Sequence, residues 1–115
     1  MSLEDKIKKP IVEFLKVLAD TTRLEILDYL EDNEMPASEI KKKLDRSQST
    51  TSKHLNILVD NNLIYFEKKN NIKYYKQNKN IDVNNLLRQI NSIATTINKE
   101  KLKDIRDADI IETLS

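Results

Sequence analysis

Apolar side chains return at helical spacing along most of this chain, and the breaks in that rhythm mark its turns. Leu3, Ile7, Ile11, Phe14 and Leu18 follow one another at intervals of 4, 4, 3 and 4, a stripe down one side of a helix. Pro10 falls inside the stripe, so the regular helix either starts there, with the proline in its first turn, or kinks there. Asp20 is placed to cap a second helix over 21–32, with Leu24, Ile26, Leu27 and Leu30 as its apolar positions. Residues 33–36 make a connection. A short third helix, about 37–44, carries Ile40 and Leu44 on one face with Lys41, Lys42 and Lys43 between them. Asp45 and Arg46 turn the chain, and Ser47 caps a fourth helix over 48–61, whose apolar positions are Leu55, Ile57, Leu58 and Val59. Two short helices joined by a tight turn, the second capped by serine, form a helix-turn-helix pattern.

The rhythm then changes. Residues 63–67 and 72–76 are rich in β-branched and aromatic side chains (Ile64, Tyr65, Phe66, Tyr74, Tyr75), with Lys68, Lys69, Asn70 and Asn71 between them. Asparagine tolerates positive φ better than any residue except glycine, so Asn70-Asn71 suits a hairpin turn, and Asn61-Asn62 suits a left-handed end to the fourth helix. A basic-tipped hairpin after a helix-turn-helix is a wing. The last third is helical again: Val83, Leu87, Ile90, Ala94 and Ile97 follow a 4, 3, 4, 3 spacing suited to packing on another helix. Leu102, Ile105, Ile110 and Ile111 continue it after a break expected near Asn98. Such a seam either folds back on the chain's own core or forms a dimer interface. With Ile7, Ile11, Phe14 and Leu18 of the first helix it offers more apolar edge than a winged helix of this size needs, which favours the dimer. The expected fold is mainly α with a small β-hairpin wing: a winged helix-turn-helix with flanking N- and C-terminal dimerisation helices. It forms a single domain over 1–115, with the helix-turn-helix at about 37–61, the wing at about 63–77 and the last helix and tail at about 82–115.

Composition removes several kinds of chemistry. Among 115 residues there is no Gly, Cys or Trp, and one His, His54. Glycine-rich phosphate loops are therefore absent. Without a thiol there is no disulfide framework, no cysteine-based zinc or iron–sulfur site and no redox-sensing cysteine. A single histidine leaves little for a triad or a transition-metal site, so neither an enzyme nor a bound cofactor is expected. No apolar run approaches the roughly 18 residues of a membrane span and the start of the chain lacks a signal-peptide core, which points to a cytoplasmic protein with no membrane partner. The formal net charge of +1 conceals segregation. Residues 1–45 carry 8 basic and 11 acidic groups, residues 46–80 carry 7 and 2, and residues 81–115 carry 5 and 6. The middle third is thus a cationic block between acidic ends, which either attracts a polyanion or is simply a solvated face.

Together these residues resemble the ArsR/SmtB winged-helix repressors. The likeness rests on Leu18-Ala19-Asp20-Thr21-Thr22-Arg23-Leu24-Glu25-Ile26-Leu27, on Ser47-Gln48-Ser49-Thr50-Thr51-Ser52-Lys53-His54-Leu55-Asn56-Ile57-Leu58, on Asn62-Leu63-Ile64 and on Tyr74-Tyr75. It spans about residues 11 to 97, and the Ser-x-His-Leu-x-x-Leu stretch of the fourth helix is its most specific part. It implies a homodimer joined through the first and last helices, each fourth helix entering a major groove of double-stranded DNA. Departures are also plain. Family metal sensors carry Cys-x-Cys in the third helix or Asp/His pairs on the last, and this chain has neither, so no metal site carries over. Arg46 stands where an apolar residue is usual, Thr51 where valine is usual and Asn62 where glycine is usual. Asp104, Asp107, Asp109 and Glu112 read as a solvated helix face rather than a cation site.

On this reading Gln48, Ser49, Thr50, Ser52, Lys53, His54 and Asn56 are the candidate DNA contacts of the fourth helix. Gln and Asn suit adenine edges, and Ser and Thr suit bases or phosphates. Lys68, Lys69, Asn70, Asn71 and Lys73 are those of the wing, its lysines acting on phosphates. Helix capping is the competing role for Gln48, Ser49 and Thr50. For His54 it is packing beside Leu55, and for Arg23 a structural charge partnership is favoured. The partner expected is a palindromic operator with half-sites about 10–10.5 bp or a multiple apart. The competing class is a winged helix used for protein–protein assembly, which would expose apolar groups where this chain exposes Ser, Gln and Asn.

Overall fold

The computed structural model describes the backbone of residues 3–114 and the side chains of Glu4 and residues 6–101. The chain runs α1 (Leu3–Leu18), α2 (Thr21–Tyr29), β1 (Met35–Pro36), α3 (Ala37–Leu44), α4 (Gln48–Asp60), β2 (Ile64–Lys69), β3 (Ile72–Gln77) and α5 (Val83–Leu114). Its contacts divide it into two compact units, Met1–Ile81 and Asp82–Ser115.

In the first unit the local signals act as their chemistry dictates. Asp20 caps α2, its carboxylate accepting from the Arg23 N–H at 3.0 Å, and Ser47 caps α4, its Oγ accepting from the Thr50 N–H at 3.1 Å. Where glycine would be usual, four polar residues take positive φ: Asp45 (53°) ends α3, Asn62 (60°) follows α4, and Asn70 (51°) and Asn71 (65°) make the hairpin turn. Positive φ at both turn residues matches the twist of the flanking strands. Helices α2, α3 and α4 pack together, and Ile26, Leu27, Leu30, Ile40, Leu55, Leu58, Leu63 and Ile64 are fully buried. Each such side chain contributes about 1.5–3 kcal/mol relative to exposure.

Several boundaries differ from expectation. Of the two alternatives at Pro10 the helix start is excluded, since α1 runs through the proline from Leu3. The proline's neighbours on the helix are exposed, so solvent can satisfy the carbonyl it leaves unpaired. Helix α2 ends at Tyr29 rather than near 32, and Leu24, expected in the core, is 36% exposed while Thr22 is buried. The connection 33–36 contains a strand: β1 pairs antiparallel with β3 (Met35↔Tyr75, Pro36↔Tyr74), giving a three-stranded sheet in the order β1-β3-β2.

The second unit is α5. Asp82 caps it, accepting from the Asn85 N–H at 3.1 Å. Val83 is buried, while every side chain from 88 to 101 is exposed. The break expected near Asn98 is absent and the helix passes straight through. The side chains of Leu102, Ile105, Ile110, Ile111, Asp104, Asp107, Asp109 and Glu112 lie outside the described residues. Of the stripe expected to form a dimer interface, Leu18 (5% exposed) and Val83 (2%) are buried. Phe14 and Leu87 are half-buried, and Ala94 is exposed. Ile7, Ile11, Ile90 and Ile97 are exposed, and so are Val12, Leu15 and Ile93, which the stripe omitted.

Candidate nucleic-acid interface

Helix α4 has two chemically distinct sides. Thr51, His54, Leu55 and Leu58 are buried, and they fix the helix on the core. The Thr51 hydroxyl donates to the Ser47 carbonyl at 2.9 Å, which lets a polar residue occupy a position only 1% exposed. Gln48, Ser49, Ser52, Lys53 and Asn56 are exposed together on the opposite side. Thr50 is half-buried, and the Ser47 hydroxyl donates to its Oγ1 at 2.9 Å. A hollow of about 190 Å³ between α3 and α4 is lined by Ala37, Ser38, Lys41, Gln48, Thr51 and Ser52, so Lys41 of α3 joins the polar surface of α4. Lys41 is not among the contacts expected from the sequence, where the lysines of the third helix stand only between its two apolar positions.

The structure places His54 on the inner side of α4. It is 9% exposed, and its Nδ1 lies 3.0 Å from an Arg23 guanidinium nitrogen and 3.8 Å from the Asp20 carboxylate. Arginine can only donate, so the imidazole nitrogen facing it accepts and the ring's proton sits on Nε2. Arg23 also donates to the carbonyls of Val17 (2.6 Å) and Lys16 (3.1 Å) at the end of α1. One guanidinium thus joins α2, which carries it, to the C-terminus of α1 and the middle of α4. Burial pushes the His54 pKa below its usual value. The charges of Arg23 and Lys53 push the same way, and Asp20 opposes them in part. Burial pushes the Asp20 carboxyl up, but the Arg23 N–H, the His54 and Arg23 charges and the Thr22 N–H outweigh it and hold the carboxyl low.

The wing is built on the β2–β3 ladder, in register from Ile64↔Gln77 to Lys69↔Ile72. Its base is anchored by Gln77, 2% exposed, whose amide donates to the Leu27 carbonyl at 2.6 Å; no local signal in the sequence reveals this bond, which spans 50 residues. Phe66 and Tyr75 stack at 5.7 Å and a 59° tilt, packing the hairpin rather than offering a flat stacking platform. Lys68, Lys69, Asn70, Asn71 and Lys73 are all exposed at its tip. Lys69 is also tied back: its ammonium lies 2.5 Å from Glu34, which meets Lys76 at 3.1 Å as well. Hydrogen bonds first from Lys69 and then from Lys76 hold the Glu34 carboxyl below the usual carboxylate range. The hydrogen bonds that Lys76 donates, first to Glu34 and then to Glu67, raise its ammonium above the usual lysine value.

A capped helix with an exposed polar side, a second helix braced across it and a basic hairpin beside them define a winged helix-turn-helix. A family profile described as a helix-turn-helix domain matches residues 18–64. The arsenical resistance operon repressor of Staphylococcus aureus is 34% identical over 101 residues, which cover 88% of this chain and 96% of the repressor. Among solved structures, NolR of Sinorhizobium fredii superposes with a TM-score of 0.70 at 31% identity, covering 81% of this chain and 93% of NolR. A homodimeric winged helix-turn-helix DNA-binding domain of Mycobacterium bovis, a possible ArsR-family regulator, has the same fold at a TM-score of 0.70 and 23% identity over 83% of this chain and 87% of its own. The chain belongs to the ArsR family of winged helix-turn-helix transcriptional regulators. Among the described residues no helix is long and apolar enough to cross a membrane, and no group of three or more His, Cys, Asp or Glu could hold a metal ion.

Proposed function

We propose that this protein is a cytoplasmic, non-enzymatic repressor that acts as one functional domain and binds a palindromic operator as a homodimer. The observation that carries this reading is the outer side of α4, where Gln48, Ser49, Ser52, Lys53 and Asn56 stand exposed on a helix whose other side is locked to the core. Gln48 and Asn56 have the paired donor and acceptor that an adenine edge presents in the major groove, and Lys53 and Lys41 suit the flanking phosphates. The helix N-terminus adds its own preference for an anion. Dimerisation is supported by the branched apolar side chains that α1 and α5 each leave in solvent, and by the homodimeric Mycobacterium bovis relative.

The Staphylococcus aureus relative is named for arsenical resistance, but this chain contains no cysteine, and its one histidine is held by Arg23. Gln48→Ala tests the base-reading role. It should relax discrimination at one base position of each half-site by about 1–3 kcal/mol, read by competition across a panel of substituted duplexes. Unchanged discrimination at every position would remove Gln48 from base recognition.

A further inference from the structure

The two sides of the wing are not electrically alike. Side chains alternate along a strand, so Tyr65, Glu67 and Lys69 of β2 share a side with Ile72, Tyr74 and Lys76 of β3, while Phe66 and Lys68 share the other with Tyr75 and Lys73. On the first side every cation is answered. Lys69 lies 2.5 Å from Glu34 and 5.4 Å from the Tyr74 ring centre, and Lys76 lies 3.1 Å from Glu34 and 3.3 Å from Glu67. On the second side Lys68 and Lys73 stand directly opposite in the ladder, and neither forms an ion pair among the described residues. Like charges in that relation repel. The Lys73 ammonium rests 4.5 Å from the centre of the Phe66 ring, which holds it in place without neutralising it.

Resting on the DNA-binding reading above, we propose that the wing meets phosphate from one side only, through Lys68 and Lys73. Glu34 is then a positioning residue that keeps Lys69 and Lys76 from the phosphates. An anion between Lys68 and Lys73 removes a repulsion the free protein carries, whereas a phosphate at Lys69 must first displace a carboxylate. Glu34 immediately precedes β1, which pairs with β3, so the same two ion pairs fix the hairpin against the body of the domain.

The test is the salt dependence of duplex binding by the full chain, measured by fluorescence anisotropy. Lys68→Ala and Lys73→Ala should each flatten the slope of log K against log salt by about 0.9 per protomer, one phosphate contact apiece. Lys69→Ala should leave the slope in place. Glu34→Gln, which releases Lys69 while Lys76 keeps its pair with Glu67, should steepen it, and adding Lys69→Ala to Glu34→Gln should restore the wild-type slope. The proposal is overturned if Lys69→Ala flattens the slope as much as Lys68→Ala does, or if Glu34→Gln leaves it unchanged. Lys68→Glu faces Lys73 with an opposite charge, so it should weaken DNA binding without lowering Tm; a lowered Tm would assign Lys68 to the fold instead. Wild-type protein with no salt-dependent binding to any duplex defeats the repressor reading itself, a different result from any of these.

Discussion

Arg23 draws together segments far apart in sequence. Its guanidinium donates to two carbonyls at the end of α1 and to His54 of α4, while its own N–H is taken by Asp20. A lysine keeps the charge but not the planar fork, so Arg23→Lys should lower stability by about 1–3 kcal/mol in urea titrations. The cluster also sets a pH dependence. Because the His54 pKa is lowered in the folded state, the unfolded chain binds more protons once the pH falls below about 6.5. Stability contributed by neutral His54 is therefore complete above that value and declines as pH falls through the folded pKa. The depressed carboxyls of Asp20 and Glu34 add a further loss at more acid pH. Urea midpoints between pH 7.5 and 5 should fall for the wild type and fall less for His54→Gln; identical curves would contradict the assignment. Asp20 and Ser47 were legible as caps because a cap and its partner lie within one turn. For His54 packing and DNA contact both stayed open, because its partner is 31 residues away and helical spacing alone does not say which polar residue a core will accept.

At the scale of elements, the helix-turn-helix and the wing could be read from the chain because each is specified by neighbours: apolar spacing, a serine cap and an Asn-Asn turn. The turn is a sharp case, since both residues hold positive φ without a glycine. Asn71→Val, at φ 65°, should cost about 1–2 kcal/mol, seen as a lower Tm. Elements defined by distant pairing were lost. Strand β1 has only two residues, one of them proline, so no alternation announces it, and it exists because β3 pairs with it. The end of α2 was placed too late because no glycine or proline marks it. The break expected in α5 near Asn98 is absent, since one poor helix former costs a few tenths of a kcal/mol and does not stop a long helix.

At the scale of the whole molecule, the separation of charge was visible in the sequence, with a cationic middle third between acidic ends. How the wing's cations are partnered was not, because Glu34 lies 35 residues from Lys69. Ile90, Ile93 and Ile97 remain 40%, 62% and 49% exposed on a helix whose side chains are all in solvent from 88 to 101. A second copy of the chain would cover them. Ile93→Glu with Ile97→Glu should halve the mass seen by sedimentation equilibrium and weaken operator binding, while α4 and the wing stay intact. The central claim is sequence-specific recognition of a symmetric duplex. It is tested most directly by titrating the protein, at several salt concentrations, against a two-fold symmetric duplex enriched from a random library and against a scrambled duplex of the same composition. Binding to the symmetric duplex should be about 10³-fold or more tighter, with affinity for both falling as salt rises. Equal affinity for the two duplexes, or failure of any symmetric sequence to be enriched, would contradict it.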